Sequence, residues 1–423
     1  MMLVKLRLAT IAAAIAAASV ALPVLADTTD VKTQSIVRIT KKGAHCNDDP
    51  NCMNRYHPAI PPVGKAKPGQ LIIYETRDAL DADLTVNSLP KDIGGIDLNL
   101  VHPITGPVYI EGAKRGDVLA VTLVDIEPDE YGYTTVVPGF GFLRDIFDKP
   151  FIANWRLNRL EAVATEIPGV AIPFNGFMGT VGVLPGYPEI ETILAREGAL
   201  NTAGGIALPP QPTGAMPKAV CGPGGSHKDK CVRTIPPREN GGNMDIKQMQ
   251  VGTTLLLPCF IDGCGLFIGD VHYAQGDGEV AGTAIEMGAK VTVRTEIRKG
   301  MASMIKSGPH FEGGSQLKKL EPDAFYATVG YPLKPAGSIP PYSSYIDGKI
   351  MGPLTNLSED LSLAARASLI EMIDWLVKSK GYTPEQAYVI TSVACDLRIG
   401  NVVDVPNYAV STICPLEIFK GKK

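Results

Sequence analysis

The stretch HPITGPVYIEGAKRGDVLAVTLVDIEPD, His102 to Asp129, decides how the rest of the chain is read. A turn at Thr105-Gly106-Pro107 leads into a short strand. A second turn, Gly112 to Gly116, then opens a long strand from Asp117 to Ile126, which is the grammar of hairpins. The same punctuation recurs throughout, since 44 glycines and 34 prolines among 423 residues imply many turns between short strands. Further strands are expected at Gln70–Glu75, Ala162–Ile167, Thr180–Leu184, Thr253–Pro258, Leu266–Ile268, Ala289–Glu296 and Phe325–Gly330. Helical periodicity comes late. One helix is expected after an N-cap at Ser358, with Glu359 and Asp360 in its first turn and Leu361, Ala365, Leu369, Ile373 and Leu376 recurring along it. A second begins at Thr383 with Pro384 in first position and runs to Ala394. The fold class is therefore mainly β (α+β), with two C-terminal helices packed on a β core. Thr28–Pro68 reads as an arm too rich in proline for regular structure, and Thr202–Asn240 as a surface excursion.

With 45% hydrophobic and 20% charged residues the chain folds, and a net charge of −4 offers no basic field for nucleic acid or anionic lipid. Lys5 and Arg7 precede an apolar run, Leu8 to Ala18, followed by Pro23 and the small-residue site Val24-Leu25-Ala26. This is the pattern of a signal peptide at 1–26, which makes 27–423 the catalytic domain of an exported, periplasmic or secreted, protein. No later segment is long and apolar enough to cross a bilayer. Export favours disulfides among the eight cysteines. Cys46 with Cys52, and Cys221 with Cys231, bracket polar loops of the kind such bonds clip. Cys259 and Cys264 flank a hairpin-like turn as a plausible third pair, while partners for Cys395 and Cys414 stay open. None of the spacings resembles a zinc-binding CxxC pair.

The densest polar stretch, GDVHYAQGDGEVAGTAIE (Gly269–Glu286), follows an apolar strand rather than lying in a solvated charge run. Residues two apart on a strand share a face, so Asp270 and His272 should point together. Gln275, Asp277 and Glu279 follow in a glycine-hinged loop, and Glu286 returns on the next segment. Carboxylates and an imidazole converging in this way can hold a divalent metal and leave one acid free to carry protons. Upstream, GGNMD supplies Asn243 and Asp245. The bland alternative is that acids in glycine-rich loops cap turns and that a single histidine packs as core. That alternative suits His45, His57, His227 and His310; His102 stays open.

Four blocks carry a resemblance to a known family: His102–Ile126, IPFNGFMGTVGVLPG (Ile172–Gly186), the run from Gly241 to Glu286, and SVACDLRIGNVVDVPNYAV (Ser392–Val410). Together they cover most of the mature chain and resemble the acetamidase/formamidase family. The resemblance implies hydrolysis of formamide- or acetamide-like linear amides to carboxylate and ammonia, a β-sandwich-like core, a homo-oligomer and a bound divalent metal ion, zinc or calcium. It marks Asn243, Asp245, Asp270, His272, Gln275, Asp277, Glu279 and Glu286. Within that set Asp270, His272 and Glu286 are expected to hold the metal. Glu279, Asp277 and Asn243 are expected to be catalytic, and Asp245 and Gln275 to bind substrate. His102 stands where the family often has Asn, and Asn175–Met178 fill a pocket-forming motif differently. A larger amide, or a binding protein without turnover, are the competing expectations.

Overall fold

Strands that alternate apolar and polar residues bury one face each, so a chain with many of them must bring those faces to a common core. The computed structural model describes residues 35–205, 207–334, 336–337, 356–357, 360–403 and 408–421. The leader expected at 1–26 and the cap expected at Ser358 lie outside these residues.

The strands that matter for the site are β1 (Leu71–Thr76), β2 (Ile104–Ile110), β3 (Val118–Val136), β4 (Phe151–Arg156), β5 (Phe177–Val183), β6 (Gly241–Asn243), β7 (Thr254–Pro258), β8 (Leu266–His272) and β9 (Glu286–Arg298). All belong to one branched, fifteen-stranded network. β9 is its spine: it runs antiparallel to β3 along its length, to β1 at Ala289–Arg294, and to β8 at its first two residues. β8 is flanked in turn by β5 and β2. β3 runs ten residues beyond the expected Ile126 because the partner strand shifts register between Met287 and Ala289, opposite Pro128 to Gly132. A bulge there lets pairing resume past a proline that would otherwise end it. Apolar side chains of β1, β3, β8 and β9, among them Ile72, Leu123, Ile126, Ile268 and Val291, share one buried cluster.

Helix α1 (Tyr187–Thr202) is not anticipated by the sequence reading, although Pro188 and Glu189 in its first turn and buried Ile190 and Ile193 carry the signal. The C-terminal pair is present as α2 (Leu361–Lys380) and α3 (Pro384–Ala394). Asp360, not Ser358, caps α2, its carboxylate accepting from the Ser362 amide at 2.9 Å. α2 packs on a small antiparallel sheet of β10 (Phe325–Gly330), β11 (Asp396–Asn401) and β12 (Ala409–Pro415), and Leu369, Met372 and Leu376 reach the main core.

Two expectations are corrected. Thr202–Asn240 is no mere surface excursion: Ala215, Val220, Cys221, Cys231 and Val232 join Met53, Tyr56 and Phe267 in a second buried cluster. Within the supposed irregular arm, Gly64–Ala66 pairs in parallel with β2 and Arg55–Tyr56 pairs with Val232–Arg233. The proline-rich stretch escapes the usual penalty because the residues that pair are not its prolines. Disulfides join Cys46 to Cys52, Cys221 to Cys231 and Cys259 to Cys264. Among the described residues no helix is long and apolar enough to cross a membrane.

Candidate active site

The end of β8 and the start of β9 bring the polar residues together. His272 pairs with Glu286 in the ladder and with Phe177 on the other side, where the two rings meet edge to face at 5.1 Å. His272 Nε2 lies 3.4 Å from Asp270 Oδ1 and 3.2 Å from Glu286 Oε2. All three side chains are buried. Asp270 and His272 thus face one another as the period-two reading expects, although Asp270 adopts φ 48. Asp245 (φ 52) and Glu279 (φ 44) share that left-handed backbone. Such conformations cost about 1–3 kcal/mol each in non-glycine residues and persist where the surroundings overdetermine them.

Asp245 and Glu279 form the other side of the cluster, their carboxyls lying against each other within reach of His272. Ligand atoms of Asp270, His272 and Glu286 lie within 4.8 Å of one another, as do those of Asp245, His272 and Glu279. His272 is the shared member. Its Nδ1 meets Gln275 Oε1 at 2.9 Å, and Gln275 Nε2 donates to the Asp245 carbonyl at 2.7 Å. The Gln275 amide, expected to bind substrate, thus bridges the imidazole and the Asp245 carbonyl. Asn243 closes β6 opposite Thr180, whose hydroxyl lies 2.9 Å from Asn243 Oδ1 and 3.3 Å from Asp270 Oδ2. Gly179 is obligatory here, because a Cβ would stand 2.6 Å from the Asp270 carbonyl and 2.8 Å from His272 Cε1.

Four acids around one imidazole, Asp270 and Glu286 buried and Asp245 and Glu279 half-buried, cannot all stay charged. Burial pushes Glu279 up to about 8, with Glu286 and Asp270 adding to the rise and His272 opposing it. Glu286 is raised to about 7, chiefly by burial. Burial also raises Asp245 well above the carboxylate range, helped by Glu279. For Asp270 burial acts upward too, but the nearby His102 and His272 outweigh it and hold it below its ordinary value. Burial would lower His272, yet Glu286 and Asp270 together raise it.

Asp277 does not join the cluster. Its carboxylate accepts from Gln248 Nε2 at 3.0 and 3.1 Å and lies 3.9 Å from Lys247 Nζ, in a separate network. Two residues join that the sequence reading did not place. His102 Nε2 sits 3.8 Å from Asp270 Oδ2, and the phenol of buried Tyr56 faces Gly242 without a hydrogen-bond partner. His102 carried a hint in its place at the head of the decisive hairpin; Tyr56, in the segment after the first cysteine loop, carried none. A cavity of about 600 Å³ lies beside α1 and touches no acid of the cluster. A smaller one, about 340 Å³, is walled by Asn175, Gln275, Phe174, Ile172, Val393 and Lys247, and so shares Gln275 with the site.

Residues 38–421 match the sequence profile described as the Acetamidase/Formamidase family. A formamidase of Methylophilus methylotrophus is 28% identical over 408 residues, covering 92% of this chain and 94% of its own. An acetamidase of Mycolicibacterium smegmatis is 30% identical over 364 residues, 80% of this chain and 84% of its own. Among solved structures, a gamma lactamase from Delftia acidovorans superposes with a TM-score of 0.81 at 29% identity, over 92% of this chain and 94% of that one.

Proposed function

The chain belongs to the acetamidase/formamidase family and is an amidohydrolase, and from that premise we propose that it cleaves short linear carboxamides to carboxylate and ammonia at the His272 cluster. The observation that carries this reading is a buried excess of acid around one imidazole with polar atoms left over. His272 Nε2 and Glu286 Oε2, 3.2 Å apart, and Asp245 Oδ1 and His102 Nδ1 are buried without a well-aligned hydrogen bond. Folding alone has no use for such groups, each of which costs roughly 1–3 kcal/mol.

An unactivated amide needs its carbonyl polarised, a water deprotonated beside it, and a proton for the departing nitrogen. The donor set fits a divalent cation such as zinc or calcium, held by Asp270, His272 and Glu286, with the unpartnered His272 Nε2 and Glu286 Oε2 as the open valences. Bound there, such an ion would polarise the carbonyl and acidify water. Gln275 fixes the tautomer and plane of His272 through Nδ1, which leaves Nε2 turned toward the carboxylates. Glu279, raised by burial and pressed against Asp245, is placed to carry a proton to nitrogen as the C–N bond breaks. With Oδ1 of Asn243 taken by Thr180, its Nδ2 hydrogens are left to hold the substrate oxygen.

A second reading is favoured by the 340 Å³ cavity beside Gln275 and by the likeness to a gamma lactamase: a larger or cyclic amide. A linear primary amide releases ammonia, whereas a lactam opens to an amino acid without it. Incubating the purified protein, analysed for metal, with formamide, acetamide and a γ-lactam, while reading both ammonia and ring-opened product, separates the readings. No product from any amide would leave a binding protein. We further read the chain as exported and homo-oligomeric. Three disulfides support the first, and exposed Phe325, Val329 and Ile399 on the small sheet support the second. An N-terminus that keeps the first 26 residues, in place of one near Asp27, or a monomer by light scattering at micromolar concentration, would overturn them.

A further inference from the structure

Six of the eight cysteines are joined in three disulfides, and the two that stand as thiols, Cys395 and Cys414, are both buried. They meet where α3 hands over to the small sheet. Cys395 follows the last residue of α3 and precedes β11; Cys414 lies near the end of β12. The two strands are antiparallel, with Asp396 opposite Ile413 and Leu397 opposite Thr412. Carried back by one residue, that register sets Cys395 directly across from Cys414. Directly opposed residues of an antiparallel pair have Cα atoms about 4.5–5.5 Å apart, inside the roughly 4.4–6.8 Å that a disulfide spans. The sulfurs are neighbours as well: after burial, a hydrogen bond with Cys414 is the next largest influence raising the Cys395 thiol.

We propose that Cys395 and Cys414 are the partners of a fourth disulfide, which leaves the exported chain without a free thiol. The bond forms by thiol–disulfide exchange with a protein or small-molecule disulfide, the reagent that closing the other three also requires. Two thiols lose two protons and two electrons and one S–S bond forms; the incoming disulfide takes up both and leaves as two thiols. Exchange precedes docking of β12, because in the folded chain Cys395 is 1% and Cys414 0% exposed, which keeps both out of reach of a second disulfide.

The place of this bond matters for the site. The Cys395 carbonyl presses on Gly276, where a Cβ would stand only 2.1 Å away, and the Gly276 amide donates to the Ser392 carbonyl at 2.8 Å. The next residue, Asp396, accepts from the Asp277 amide at 3.0 Å. The loop that carries Gln275 and Glu279 therefore rests on the Ser392–Asp396 turn. A disulfide from Cys395 ties that platform to the last strand of the chain.

The test is non-reducing peptide mapping of protein prepared in an oxidising compartment, denatured and alkylated before digestion, in material whose other three pairs are intact. The expected result is no alkylated cysteine and a peptide pair linked through Cys395 and Cys414 that disappears on reduction. A Cys414→Ser variant, counted in denaturant, should raise the free thiols from none to one, the one being Cys395. Recovery of Cys395 and Cys414 in alkylated form from the wild-type chain, or either of them linked to a third cysteine, overturns the proposal.

Discussion

One loop, Gln275–Glu279, feeds two partly buried polar networks that obey opposite rules. On one side Glu279 joins Asp245, Asp270, Glu286 and His272, with acids in excess, polar atoms unpartnered and three residues in left-handed backbone. On the other, Asp277 joins Lys247, Gln248, Asp396 and Arg398. There every acid has a cation or amide donor: Lys247 binds Asp396, Arg398 Nη2 lies 3.2 Å from the same carboxylate, and Gln248 saturates Asp277. Two residues of one short motif thus belong to different machines. The lesson is that burial and acidity do not by themselves mark a site. What marks it is the convergence of unsatisfied groups on one imidazole, since isolated unpartnered atoms such as Tyr74 Oη and Thr295 Oγ1 also occur elsewhere among the described residues.

The sharpest way to break this contrast is to cut each network at its centre. His272→Ala or Asp270→Ala should lower kcat/KM about 10³-fold or more; Asp270→Ala removes one of the crowded acids, whereas His272→Ala removes the imidazole that offsets them, so the fold of each variant is checked by denaturant midpoint. The double variant should be little worse than either single one, because parts of one unit are not additive. Activity in His272→Ala within about tenfold of wild type would remove the cluster from the chemistry. Lys247→Met should do the reverse. It leaves Asp396 buried without its closest cation and should cost about 3–5 kcal/mol of stability, read by denaturant midpoint.

A finer cut lies inside the loop itself. Glu279→Gln should lower kcat by about 10²-fold with KM little changed, because shape is kept and the proton carrier lost. Asp277→Asn, two residues away, should change kcat by less than about threefold, since its carboxylate faces Gln248 and Lys247. Equal losses in the two would show that the loop acts as one block and dissolve the comparison. The smallest effect concerns His57, outside both networks, packed between Tyr187 and His227 and lowered by burial to about 4. A histidine lowered on folding binds its proton more readily unfolded, so its contribution is intact above the ordinary pKa of about 6.5 and is lost as pH falls from there toward 4. His57→Phe should flatten that part of the stability curve; an unchanged slope between pH 4 and 6.5 would rule His57 out as its source.

Much of this was legible in the residues themselves. Strand and turn grammar from His102 to Asp129 announced a β-rich core, periodicity announced α2 and α3, and spacing two apart on a strand placed Asp270 beside His272. These are local consequences of backbone geometry, so a sequence carries them without help from distant residues. The division of the QGDGE loop was not local. Which of Asp277 and Glu279 reaches His272 depends on φ 44 at Glu279 and on Asp396, more than a hundred residues away, holding the Asp277 amide. The same holds for Tyr56, paired with Val232, and for His102, whose amide donates to the Thr234 hydroxyl, more than a hundred residues away in each case. Sequence alone therefore determined the elements and the supply of acids. Only the tertiary structure decided which acids are neutralised and which are left over, because desolvation and pairing are properties of the packed interior and not of any segment.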